Sequence, residues 1–354
     1  MMRPILALAL LGAVPVTGAI AQTPYTVVAS GLEGPRGLTF GPDGNLYVAE
    51  AGLGGPNSTV GQCEQAAVVG PYHGGPTARI SMIRPDGTRT TVVDQLPSGQ
   101  TSLPTGDTIG VADIVFLHGE LYALLAGGGC SHGNPDTPAS VIKVDRTNGT
   151  WQIVADLSQF VMMHPVAHPP DDLEPDETFY SMTPFRNDLY AVGPNHGQVL
   201  EVALDGTVRR LIDISASEGH IVPTAIVFHG GTFHVGNLNT FPIVAGSSQV
   251  LDISRKGKIL NTSHGFTTIT GLRYHHDRLY ALELSAAAGN PAPGAGKIVR
   301  LDEETGDVTD VVTGLSLPTA MTFGPDGDLY VSNLGAVSGS AGEIVRISFN
   351  LIKK

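Results

Sequence analysis

Six copies of one short pattern run through this sequence, and they leave little choice of fold. Each copy is an apolar strand, a tight turn, and a second strand that begins with Leu-Tyr or a close variant. The first is GLTFGPDGNLYVAE at 37–50 and the last is AMTFGPDGDLYVSN at 320–333. Between them stand ADIVFLHGELYALL from Ala112, SMTPFRNDLYAVG from Ser181, TAIVFHGGTFHVGN from Thr224 and TGLRYHHDRLYALE from Thr270. Alternation with period two on both sides of a Gly, Asp, Asn or His turn is the signature of a β-hairpin. Two further strand-like runs follow each of the first five hairpins, for example RISMI from Arg79 and TTVVD from Thr90. Four strands per unit, repeated six times, predict an all-β, six-bladed β-propeller.

The chain ends support this count. The sequence closes on a third-strand copy, EIVRI from Glu343, with no fourth strand after it. The missing strand is at the other end, YTVVA from Tyr25. The N-terminal strand is therefore expected to pair with the third strand of the last blade, closing the ring and leaving no open edge there.

Ahead of that strand, Arg3 precedes an apolar run over residues 4–16, and Ala19-Ile20-Ala21 gives a small-x-small cleavage pattern. Residues 1–21 read as a signal peptide, with the mature domain spanning 22–354 and starting at Gln22. Export to a periplasmic or extracellular compartment is the expectation. No later apolar run is long enough to span a bilayer. With 20 Lys and Arg against 33 Asp and Glu, the formal net charge of −13 would repel a phosphate backbone, so nucleic acid is not an expected partner.

We label the strands of a blade A to D from the axis outward. The start of A and the end of B then meet at one face, the top, and the A–B turns lie at the bottom. Long segments at 51–77, 95–111, 157–179 and 215–223 all fall on the top. Long loops on a rigid scaffold are the usual seat of function.

Metal-dependent six-bladed lactonases of the regucalcin type hold a cation at the axis with carboxylates and an Asn at the top of strand A. Aligning the A strands on Phe40, Phe116, Phe185, Phe228, Tyr274 and Phe323 gives Arg36, Ala112, Ser181, Thr224, Thr270 and Thr319 four residues earlier. That ring holds no carboxylate and one cation, so the regucalcin-type site is expected to be absent. Asp113 stands one place off it. At the end of strand B the ring reads Glu50, Leu125, Gly193, Asn237, Glu283 and Asn333, with Arg36 beside Glu50. Two readings stand side by side: an oxygen-rich site for a cation or polar ligand, or side chains tied to backbone groups at strand ends and to Arg36.

Histidines also gather on the top segments: His73, His132, His164, His168, His196, His220 and His264. The run from His164 to Glu177 is dense in imidazoles and carboxylates, a donor set that suits zinc or another transition metal. Its prolines exclude the helical spacing of a zinc peptidase, and a solvated acidic loop is the other reading. If a cofactor binds, a divalent cation, calcium or zinc, is the one such groups would hold. The two cysteines, Cys63 and Cys130, follow strand B of blades 1 and 2, which brings their loops close. They form either a disulfide between those loops or two separate thiols. Ser-centred nucleophile elbows, phosphate loops and dinucleotide fingerprints are missing.

The opening VASGLEGPRGLTFGPDGNLYVAEAG at 28–52, GPTARI from Gly75 and LPTAMTF from Leu317 resemble the ScyD/ScyE family. The resemblance spans essentially the whole mature chain and implies an exported bacterial propeller related in fold to NHL-repeat propellers. Its name comes from pigment gene clusters, where an oxidative coupling role is suggested. Family members often carry a second cysteine in the first long loop; here the comparable stretch is AVVGP at 67–71, which favours Cys130 as the partner of Cys63. Two functions follow. The first is a binding or scaffold protein whose top face takes a small polar ligand, a glycan or a protein partner. The second is a metal-dependent enzyme, oxidative or hydrolytic, built from top-face histidines and carboxylates.

Overall fold

A computed structural model describes residues 24–102 and 106–349. The expected signal segment and Gln22 lie outside the described residues. Six antiparallel sheets surround an axis, and each innermost strand packs on those of the two neighbouring blades. Blade 6 consists of the N-terminal strand Thr26–Leu32, then Gly342–Ile347, Leu329–Asn333 and Ala320–Phe323, in that order from outside to inside. Thr26 pairs with Arg346 and Leu32 with Gly342, so the ring closes as the repeat count requires. Leu32 is fully buried in the apolar layer between blades 6 and 1. The core is a series of such layers, because each strand buries one side against the next blade.

Blade 1 departs from the expected four strands. Its C and D strands run as His73–Ile83 and Arg89–Gln100, and a fifth strand, Thr108–Ile109, pairs onto the end of the second. Segments read as loops at 73–77 and 95–100 are therefore a two-stranded extension of the blade above the top face. Glycines 74, 75 and 99 permit it. A side chain on Gly74 would meet the Gly133 backbone, and one on Gly75 the backbone of Gly54 and Gly55. The 157–179 segment also has structure of its own: a helix at Leu157–Met163, capped by the Asp156 carboxylate on the Gln159 N–H, which ends before Pro165. No helix among the described residues is long and apolar enough to cross a membrane.

The register of blade 3 corrects the strand alignment. Blades 2 to 5 join strands A and B by two-residue turns with positive φ, such as His118-Gly119 and His276-Asp277. In blade 3 that turn is Arg186-Asn187, and Phe185 pairs with Asp188, as Leu117 pairs with Glu120 in blade 2. The residue equivalent to Phe116 is thus Pro184, opposite Leu189. Aromatic identity misled the alignment by one place. The top ring of strand A carries Tyr180, not Ser181.

Candidate functional site

With the register corrected, the ring at the top of the axis is Arg36, Ala112, Tyr180, Thr224, Thr270 and Thr319. The next level down is Gly37, Asp113, Ser181, Ala225, Gly271 and Ala320, all lining the axial cavity. The Tyr180 hydroxyl donates to the Thr319 carbonyl at 3.1 Å. Blades 3 and 6 face each other across the axis, so this side chain spans it. Arg36 donates to the Gly335 carbonyl at 2.6 Å and the Thr108 carbonyl at 2.7 Å, not to Glu50. Together they cover the axis from above. Burial raises the Tyr180 phenol to about 12 despite the nearby Arg36 charge, so it stays a neutral donor at every physiological pH.

Below them Asp113 faces Arg273 of the opposed blade 5. Asp113 is buried and accepts N–H groups from Ile114 and Met182, both at 2.8 Å. Burial raises its carboxyl to about 6, against the pull of the Arg273 guanidinium and the two N–H donors. Such a group can exchange a proton near neutrality. The space left around it is about 10 Å³, room for roughly one water. Gly37 makes that space, since a Cβ there would overlap the Asp113 carboxylate. Gly37→Ala is expected to destabilise the protein by about 1–3 kcal/mol through overpacking, measured by urea unfolding at pH 7.

The ring at the end of strand B does not open on a shared cavity. Glu50 is fully buried and bonded to its own blade: the Arg89 guanidinium at 2.8 Å, the Ser81 hydroxyl, and the Glu33 N–H at 2.8 Å. Asn237 bonds the Ile221 carbonyl and the Gln249 N–H. Glu283 accepts the Thr267 N–H at 2.9 Å, and Asn333 accepts the Ser316 N–H and donates to Glu343. In all four blades the side chain holds the backbone that leads into its own strand A. Blade 3 has Gly193 at this place, and the Glu177 carboxylate occupies the volume a side chain would fill. Glu177, buried with φ 62°, takes the N–H groups of Asn195 and His196. Sequence comparison of ring positions could not find it, because it reaches the ring from a loop; Gly193 was the only signal.

Glu283 is the least satisfied member. Its Oε2 has no hydrogen bond and lies 3.6 Å from Lys297. Burial raises the carboxyl to about 7, against Lys297 and the Thr267 N–H. The folded state holds this proton more tightly than the unfolded chain, so stability falls as pH rises from about 4.5 through 7. Glu283→Gln is expected to add roughly 1–2 kcal/mol at pH 8 and little at pH 4.5. Urea titrations at both pH values check this.

The histidines do not converge on a metal. His164 and His168 are exposed and bonded through Nδ1 to the Phe160 and Ser215 carbonyls, each at 3.0 Å. His220 pairs with Asp172 at 3.3 Å, and His264 sits exposed on the outer strand Ile259–Phe266. Only His132 and His196 come together, in a buried network under the top loops of blades 2 and 3. His132 Nδ1 donates to the Gly128 carbonyl at 2.7 Å, which leaves Nε2 facing the Glu174 carboxylate at 3.5 Å. Two acceptors do not face each other without a proton between them. Burial alone would depress the His132 imidazolium, but Glu174 and Asp176 outweigh it and hold its pKa above the usual value. Asp176 takes the Ser131 N–H and hydroxyl, while His196 Nε2 bonds the Glu174 carbonyl at 2.8 Å. Among the described residues, no group of three or more His, Cys, Asp or Glu is placed to hold a metal ion. The dense run from His164 is spent on loop contacts instead.

Cys63 and Cys130 form a disulfide, with Cα atoms 6.3 Å apart, joining the top loops of blades 1 and 2. The Thr59 hydroxyl bonds the Cys130 carbonyl beside it. On the same face several apolar side chains stand exposed: Val60 and Val68 in blade 1, Met162 and Met163 between blades 2 and 3, Phe241 and Val244 in blade 4.

No protein-family profile and no curated protein sequence matches the chain. Solved structures do match. A calcium-binding regucalcin from Agrobacterium tumefaciens shares 13% identity at a TM-score of 0.54, over 92% of this chain and 93% of its own. A gluconolactonase from Xanthomonas campestris shares 12% at 0.54, over 92% and 89%. A luciferin-regenerating enzyme shares 10% at 0.52, over 90% and 92%. At these identities the likeness is one of fold, and this chain is a six-bladed β-propeller.

Proposed function

We propose that this chain is an exported binding propeller that takes a protein partner on its top-face loops. One observation carries the reading. Met162 and Met163 stand exposed at the end of a helix anchored by the buried Leu157 and Val161, and the segment after it is tied down through Glu174 and Asp176. Exposed apolar side chains on a preorganised base suit protein recognition. The covered axis and the internally spent ring carboxylates favour a surface partner over a small ligand at the axis. The sequence resemblance to the ScyD/ScyE family supports the same exported, bacterial setting.

The test uses the mature exported protein. A partner cross-linked to wild type is identified, purified and titrated against wild type and the Met162→Glu/Met163→Glu variant. At least a tenfold loss of affinity at unchanged melting temperature is expected; equal affinity would sink the reading. A metal-dependent enzyme predicts instead a rise in melting temperature on adding Ca²⁺ or Zn²⁺.

A further inference from the structure

We propose that the groove between the bottom edges of blades 1 and 2 binds a neutral oligosaccharide, with a sugar ring stacked on Trp151. This site is on the face opposite the top loops and stands apart from any partner bound there. The groove measures about 830 Å³, within the range of small-molecule sites. It holds the one tryptophan of the sequence.

Trp151 is the second residue of the outer strand of blade 2, Thr150–Asp156, and packs partly against the apolar layer between the two blades. Among the described residues no acceptor takes its indole N–H, and that N–H is not sealed from solvent. A half-buried indole lining the groove, with its N–H unbonded, suits a sugar, which offers an apolar C–H face and a hydroxyl rim.

The charges of the groove decide the ligand class. Lys143 is paired with Glu120 at 3.3 Å. Arg146 lies 3.6 Å from Asp43 and bonds the Tyr47 hydroxyl at 3.0 Å, with its guanidinium over the Phe116 ring. Both cations are thus engaged, and Asp145 leaves the groove with one surplus negative charge. A phosphate or carboxylate ligand would find no uncommitted cation and a net repulsion. Hydroxyl groups, by contrast, can donate to Glu120 and Asp145 and accept from Lys143 and Arg146 while those pairs stay in place. The donors and acceptors sit on strand ends and a tight turn, where Gly149 bonds back to the Asp145 carbonyl at 2.9 Å, so little order is lost on binding.

A single tryptophan makes the mature protein its own reporter. Cellohexaose, maltohexaose and N-acetylated chitohexaose are titrated in turn while indole emission is followed, with polygalacturonate as the anionic control. At least one neutral hexasaccharide is expected to give a saturable change, with Kd roughly 10 µM to 1 mM. Calorimetry should then show at least about a tenfold loss of affinity in Trp151→Ala and a smaller loss in Lys143→Met. Trp151→Phe keeps the aromatic packing and serves if the alanine variant fails to fold; it should retain partial affinity. Met162→Glu/Met163→Glu should bind sugar as wild type does, which separates this site from the top-face reading. No response to any of the three neutral sugars, binding that survives Trp151→Ala, or preference for polygalacturonate would overturn the proposal.

Discussion

Glu50→Ala is expected to cost about 3–5 kcal/mol of folding stability, the signature of a buried charged group whose partners cannot reorganise. The carboxylate is fully buried and has three partners: Arg89, the buried Ser81 hydroxyl and the Glu33 N–H. Truncation leaves the last two without an acceptor, at roughly 1–3 kcal/mol each, and opens a cavity beside them. Arg89 is partly exposed and can turn to water, which limits the loss. Glu50→Gln should recover part of the difference, because the amide oxygen can still accept one N–H. Urea unfolding of the three proteins at pH 7 checks this. A vacant ligand site predicts the reverse, since relieving an unpaired buried carboxylate would leave stability unchanged or raise it. A gain in Glu50→Ala would therefore revive the ring as a ligand site.

Loss of the Cys63–Cys130 bridge is expected to cost up to about 4 kcal/mol. The bond closes a loop of 67 residues, and the chain-entropy model gives about that value for such a length. The loops retain other ties when it is cut, including the Thr59–Cys130 hydrogen bond and the pairing of Asn57 with Gly74. These ties hold part of the native geometry and make the entropic figure an upper bound. Cys130→Ser should thus unfold at lower urea than wild type. Adding dithiothreitol should move wild type toward the variant and leave the variant where it was. Equal midpoints for wild type and Cys130→Ser would mean that the hydrogen bonds alone fix these loops.

These two effects have different origins, and the difference bears on what a sequence reveals. Both cysteines could be placed on adjacent blades from the repeat alone. Their pairing depended on loop paths that no periodicity describes. Glu50 was found at a meaningful ring position, and its environment was not, because its principal partner lies 39 residues away on the fourth strand of the blade. Arg36, its sequence-level neighbour, turns instead to carbonyls of the blade 6 loop and the short fifth strand of blade 1. Long side chains choose partners in three dimensions, and the nearest residue along a strand is only one contender.

The axial site shows the same limit. Tyr180 and Ser181 both line the axial cavity, so an error of one place in blade 3 put Ser181 at the level that Tyr180 holds. Phe185 looked like the counterpart of Phe116 by residue type. The two-residue turn at Arg186-Asn187, with Phe185 opposite Asp188, shows that Pro184 holds that place. The histidine-rich run failed as a metal site for a related reason: composition brought ligands into one segment, but the backbone turned them to separate carbonyls.

By itself the sequence determined the six-bladed ring, the strands of each hairpin and the closure by the N-terminal strand. Those follow from period-two patterning and tight turns, which are local, and from repetition, which makes every blade testify to the others. Only the tertiary structure decided which ring residues meet the axis, which carboxylates are spent on backbone, how Tyr180 spans from blade 3 to blade 6, and where Trp151 opens on a groove. Those outcomes depend on contacts between blades, where residues far apart in the chain compete for the same partners and local pattern has no say.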